Sequence, residues 1–226
     1  MSELSPPSAA PQRLLLLRHG EVDSHRGDVP VTASGLAFAT EVGRHLAAHG
    51  DGTLRILTGD TLRTRQTAKA ITDGARDAGA RVDGPHVAFA LRNPDLYVAG
   101  ERVDMVSSLA ALAAQIDGLD ENGAGGVPFF EGFLSADDRV GWWLRNPSPP
   151  GDDAAAVARR IRDFAGSLAD RPDVHLIVGV THSPVLRACA IDLLGNDPGE
   201  PEWVAGLEFE IHPDRSVRLR MLSQAP

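Results

Sequence analysis

Four consecutive leucines, Leu14 to Leu17, stop abruptly at Arg18-His19-Gly20-Glu21, where a cation, an imidazole and a glycine follow one another. A run this short cannot cross a bilayer but suits a buried strand. The same arrangement returns near the other end of the chain, where Val174 to Val180 runs into Thr181-His182-Ser183-Pro184. A strand that is apolar on both faces belongs inside a parallel sheet. The carboxyl ends of such strands are where α/β proteins bind ligands. Two histidines at two strand ends therefore predict a single sheet edge that carries chemistry.

The intervening sequence supplies the helices such a sheet needs. Thr32 is a candidate N-cap for a helix whose apolar stripe is Leu36, Phe38, Val42 and Leu46 and which ends near Gly50. A short strand, Leu54 to Leu57, precedes a helix from about Thr61 to Ala78. Val87 to Leu91 reads as a third strand, and Val103 to Ile116 carries apolar residues at helical spacing. Asp152 or Asp153 can cap a helix bearing Val157, Ile161, Phe164 and Leu168. Pro184 fits the first turn of a helix running to Leu194. Two last strands, around Val204 to Ile211 and Val217 to Leu222, add an antiparallel edge. The predicted fold is α/β: a three-layer α/β/α sandwich with a mostly parallel central sheet and an antiparallel edge.

At 226 residues the chain has room for one sizeable core. The expected organisation is a loose tail over 1–12, with no basic apolar leader, and a single domain over 13–226. Between about 117 and 151 the chain is rich in Gly and Pro and holds Phe129, Phe130, Phe133, Trp142 and Trp143. This segment reads as a cap inserted over a pocket, the alternatives being an extension of the core or a dimer patch. A net charge of -9, dispersed along the chain, argues against non-specific binding to nucleic acid and to anionic membranes. The lone Cys189 excludes an internal disulfide and a thiolate metal cluster, and a cytoplasmic location is expected. An apolar edge formed by the last strands would suit a homodimer.

If both strand ends share one edge, His19 and His182 meet there with Arg18, and Arg63 enters from the start of the second helix. Two arginine forks can hold a phosphoryl group, and helix starts after Gly20 and Ser183 would add backbone donors. Arg18-His19-Gly20-Glu21, followed by Thr32 and Gly35, resembles the opening of the histidine phosphatase, or phosphoglycerate-mutase-like, superfamily. Asp60-Thr61-Leu62-Arg63-Thr64-Arg65-Gln66-Thr67-Ala68 resembles its second-arginine segment, and Val178-Gly179-Val180-Thr181-His182 its second-histidine strand. Gly151-Asp152-Asp153 is a weaker match to a third helix start. The resemblance implies a cofactor-independent phosphatase, with no metal, that acts on a phosphorylated small molecule. His19 would be the nucleophile that becomes phosphohistidine, and Arg18, Arg63 and His182 would bind phosphoryl oxygens. His25 and Arg26, in the loop after the first motif, are candidate substrate contacts or equally surface residues, and Ser183 is a further candidate contact.

One departure from the family pattern concerns the acid. Most branches place a proton-donating Glu where this chain has Asn93, and an amide cannot protonate a leaving group. Asp95 is the first substitute, ahead of Glu101 and Glu131, although Asn93-Pro94-Asp95 is also ordinary turn chemistry. Alternatively nothing replaces the acid, and the natural substrate has a good leaving group such as a phosphohistidine, an acyl phosphate or another anhydride. Two other functions stay open: a mutase, against which the lack of extra basic and Tyr-containing segments counts, and a catalytically silent phosphoryl-binding domain. His45, His49, His86, His175 and His212 read as structural, Cys189 as a buried thiol, and Arg65 as a surface residue.

Overall fold

The computed structural model describes residues 11–24, 27–49 and 52–222. In chain order the strands are β1 (Gln12–Arg18), β2 (Thr53–Thr58), β3 (Arg81–Val87), β4 (Leu96–Val98), β5 (Glu101–Val103), β6 (Leu176–Thr181), β7 (Gly206–Ile211) and β8 (Val217–Met221). The helices are α1 (Ala33–His49), α2 (Leu62–Asp77), α3 (Leu109–Ala113), α4 (Glu121–Gly125), α5 (Pro128–Ser135), α6 (Arg139–Arg145), α7 (Ala154–Ser167) and α8 (Ser183–Leu194). A six-stranded sheet runs β3-β2-β6-β1-β7-β8, parallel from β3 to β1 and antiparallel across β7 and β8. The leucine run lies in a central strand, and its side chains divide by the period of two that a strand imposes. Leu14 and Leu16 enter one core cluster, packed with α7, α8 and the 117–151 segment. Leu15 and Leu17 enter the other, beneath α1 and α2. Both faces are covered, which gives three layers.

Several elements depart from the sequence reading. Gln12, expected to be the last tail residue, opens β1, and its buried amide donates to the carbonyls of Arg171 and Val174 at 2.8 and 2.5 Å. The third strand lies earlier than Val87–Leu91. β3 ends at Val87, and Phe89–Leu91 form a 3₁₀ turn. As the exposed edge of the sheet β3 carries few apolar side chains, so its sequence offers no strand pattern. The helix expected over Val103–Ile116 shrinks to α3, because residues 96–103 form a β4–β5 hairpin that turns through Ala99 at φ 52. The outer strand β8 turns Val217 and Leu219 toward the core and leaves Arg218 and Arg220 exposed, so the expected apolar edge is a charged one.

Residues 117–151 fold into α4, α5 and α6 and serve two purposes at once. Phe130, Phe133 and Trp143 are fully buried, with Phe129 and Trp142 packed against them. Phe133, Arg139 and Val140 also line the large cavity over the sheet edge. Helices α1 and α2 cross at Gly43 and Gly74, where a Cβ would stand 2.1 Å from the Ile71 carbonyl oxygen and 2.0 Å from that of Thr40. Their close approach seats the start of α2 beside the end of β1.

Candidate active site

The pairing register fixes the site. Arg18 lies opposite Thr181 in the parallel β1–β6 pair, so His19 and His182 leave the same sheet edge from adjacent strands. The His19 N–H donates to the Thr181 carbonyl at 3.0 Å, and the two imidazole centroids are 5.4 Å apart. Both rings are 2 % exposed. Next to β6, β2 ends at Thr58 and the chain turns into α2, whose second residue is the buried Arg63. Three parallel strands thus bring Arg18, His19, Arg63 and His182 to one cavity of about 450 Å³, within the size range of small-molecule sites.

His19 is held by its own turn. Its Nδ1 lies 2.8 Å from the Gly20 carbonyl oxygen, which can only accept, so Nδ1 carries a proton and the neutral ring would present its lone pair on Nε2. Gly20 is pinned in turn: its N–H donates to Thr67 Oγ1 at 2.8 Å, and that hydroxyl donates to the Arg63 carbonyl. A Cβ on Gly20 would stand 2.9 Å from Val31 Cγ1. Among the described residues between Gly20 and α1 no helix starts. The next helix is α1, whose N-cap Thr32 accepts from Gly35 N–H at 3.0 Å and donates to Glu21 at 2.9 Å.

The guanidinium groups are positioned by segments that sequence reasoning passed over. Asp28, in the loop after β1, accepts the Leu62 N–H at the start of α2 and stands 3.4 Å from Arg63 Nη1. Arg18 donates to the Pro201 carbonyl at 2.6 Å, pairs with Glu200 at 2.7 Å and stacks on Trp203 with its Cζ 3.5 Å from the ring centroid. Val204 adopts φ 56 while fully buried. A β-branched residue there costs roughly 1–2 kcal/mol, and this turn sets Trp203 against Arg18. Burial lowers the pKa of both Arg18 and Arg63, opposed by the nearby carboxylates. The Nε atoms of both are buried without a hydrogen-bond partner.

In the cavity wall, Arg187 of α8 is a buried hub, 2 % exposed. It makes paired bonds to Asp138 (2.8 and 2.8 Å) and Asp197 (2.9 and 2.6 Å) and lies 3.6 Å from Glu200. Burial opposes the charge, but the bonds from Asp138 and Asp197 raise the Arg187 pKa overall. Arg187, aided by Gly141 N–H, holds the Asp138 carboxyl down to about 2. Asp138 is also the N-cap of α6, so the hub ties the cavity's outer wall to the helix that follows His182.

The chain matches the model of the histidine phosphatase superfamily (branch 1) over residues 14–83 and 116–210. It belongs to that superfamily. Solved structures agree on the histidine phosphatase fold. A mycobacterial glucosyl-3-phosphoglycerate phosphatase, in complex with VO3, is 20 % identical with TM-score 0.59, covering 93 % of this chain and 97 % of that one. A phosphoglycerate mutase from Bacillus anthracis is 13 % identical with TM-score 0.56 and coverages of 95 % and 94 %. A phosphoserine phosphatase mutant from Entamoeba histolytica, bound to phosphoserine, is 17 % identical with TM-score 0.56 and coverages of 92 % and 94 %. No curated protein sequence matches the chain.

For a histidine phosphatase the acid position matters most. Asn93 is buried in the cavity wall, its Oδ1 without a partner. Asp95, the first substitute, does not line the cavity. Arg92 and Arg102 grip its carboxylate, and although burial pushes its pKa up, those hydrogen bonds bring it below the usual range. Its carboxylate is thus engaged by two arginines and lies outside the cavity lining, so the geometry does not favour it as the proton donor. Glu101 and Glu131 are exposed on β5 and α5, away from the cavity lining. Ser183 does line the cavity, its hydroxyl donating to Glu200 at 2.5 Å. His25 and Arg26 lie outside the described residues. Arg65 is exposed and Cys189 buried. Among the described residues no three His, Cys, Asp or Glu side chains gather as a metal site, and no helix is long and apolar enough to cross a membrane.

Proposed function

We propose that this chain is a phosphatase that hydrolyses a phosphorylated small molecule through a phosphohistidine at His19. In the first step the Nε2 lone pair forms the N–P bond while the bond from phosphorus to the leaving group breaks, the leaving group taking the electron pair. In the second step a water oxygen attacks phosphorus, the N–P bond returns its pair to Nε2 of His19, and the water gives up one proton to the released phosphate or to solvent. Arg18, Arg63 and His182 hold the phosphoryl oxygens throughout. Donors of this kind are worth roughly 3–4 kcal/mol each. The observation that carries the proposal is the convergence of two buried arginines, Arg18 and Arg63, and two buried histidines, His19 and His182, on one cavity.

With Asn93 at the acid position, two of the three cavity carboxylates, Asp138 and Glu200, committed to arginines and the third, Asp137, exposed to solvent, departure favours leaving groups that need little protonation. Acyl phosphates, other anhydrides and phosphorus–nitrogen bonds have that property. A mutase reading gains little, since Tyr97, the sole tyrosine, is exposed on β4 away from the cavity lining. Asn93 favours the silent-domain reading, and turnover separates the two. Purified protein should hydrolyse nitrophenyl phosphate, His19→Ala should not, and a rapid acid-free quench should trap base-stable phosphoprotein. Absence of turnover would favour the binding domain, and transfer of the group to an added alcohol in preference to water would favour the mutase.

A further inference from the structure

Arg139, the first residue of α6, lines the cavity as a half-buried side chain with a buried Nε, and among the described residues that side chain forms no hydrogen bond or ion pair. The other arginines on the cavity, Arg18, Arg63 and Arg187, are each paired with a carboxylate. Buried N–H groups without acceptors are costly and rare in native proteins. The neighbouring carboxylates do not neutralise this one: Asp138 is committed to Arg187, and Asp137, exposed beside it, forms no ion pair with it. Its surroundings include the apolar Phe133 and Val140, which strengthen any attraction to an anion by excluding water.

We infer that Arg139 is a specificity residue, binding a second anionic group, carboxylate or phosphate, on the leaving-group side of the substrate. This rests on the phosphatase reading, in which Arg18, Arg63 and His182 occupy the transferred phosphoryl group and leave Arg139 for the remainder of the molecule. Planar arginine forks match both kinds of anion by paired hydrogen bonds.

The test measures competitive inhibition of nitrophenyl phosphate hydrolysis by matched pairs of ligands. 3-Phosphoglycerate against glycerol 3-phosphate probes a carboxylate, and fructose 1,6-bisphosphate against fructose 6-phosphate probes a second phosphoryl group. At least one doubly anionic ligand should bind about ten-fold or more tightly than its partner. That ratio should fall toward one in Arg139→Ala, recover in part in Arg139→Lys, and persist in Arg145→Ala, whose side chain lies exposed at the far end of the same helix. Arg139→Gln, which keeps a polar side chain of intermediate length without charge, replaces the alanine variant should that one fail to fold. Ratios near one in the wild type, or a ratio that survives loss of the Arg139 charge, would overturn the inference while leaving the hydrolase intact. If the wild type turns nothing over, the same pairs are compared by calorimetry. An Arg139-dependent preference would then uphold the anion subsite and reject only the hydrolase, and no preference would reject the subsite.

Discussion

Replacing Arg187 by Met keeps the bulk of the side chain and removes the hub between α6 and α8. Four bonds to Asp138 and Asp197 disappear, and three carboxylates are left around an apolar tip. Breaking a fully buried pair costs about 3–5 kcal/mol. Here Asp138, Asp197 and Glu200 are 52 %, 25 % and 48 % exposed, so water recovers part of that. The expected loss is about 3 kcal/mol, or roughly 6–12 °C in melting temperature for a chain of this size. The pH dependence identifies the cause. Asp138 is depressed to about 2 from 3.8, and Asp197 is also lowered. Depressed carboxyls stabilise fully above their unfolded pKa and lose that contribution as pH falls through the folded value. The gap between wild type and Arg187→Met should therefore be widest at neutral pH and shrink to roughly half by pH 3. Urea denaturation followed by circular dichroism from pH 3 to 7 measures it. A gap that does not change with pH, or a loss below about 1 kcal/mol at pH 7, would refute the assignment of Arg187 as an electrostatic hub.

Three further outcomes are expected. Asp95→Asn should lower stability by about 1–3 kcal/mol through its lost arginine bonds and slow alkyl and nitrophenyl phosphates by the same factor; selective slowing of the alkyl esters would reinstate it as the acid. Trp203→Leu removes the face on which Arg18 stacks, worth about 0.5–2 kcal/mol, and should raise KM for nitrophenyl phosphate by roughly 2- to 30-fold with melting temperature as the folding control. Burial pushes the Cys189 thiol up to about 12, so a thiol reagent at pH 8 should leave the native protein unlabelled and react only once denaturant unfolds it.

The parts of the molecule visible in sequence were those where an apolar run ends in polar chemistry. Leu14–Leu17 and Ile177–Val180 are buried on both faces, and a buried parallel strand has no alternative but to look continuous and apolar. Their ends carry His19 and His182, while Thr61 and the α2 stripe locate Arg63. Elements that do not build the core left weaker traces. β3 is an exposed edge, β4 and β5 are three residues each, and α4 to α6 are five to eight residues long with glycine inside them. The supports of the arginines were hidden for a different reason. Asp28, Glu200 and Trp203 act across 35, 182 and 185 positions of sequence, and only the tryptophan, large and next to a proline-rich loop, offered a local hint.

Because Arg18 rests on Glu200, Pro201 and Trp203, the cation delivered by the first strand acquires its final setting only when nearly the whole chain exists. A ribosome must synthesise past Trp203 before the guanidinium can be clamped, and β1 waits between two partners, β6 and β7, that are both made late. Every shortened product that ends before that loop should therefore leave Arg18 without its clamp and the cavity unfinished.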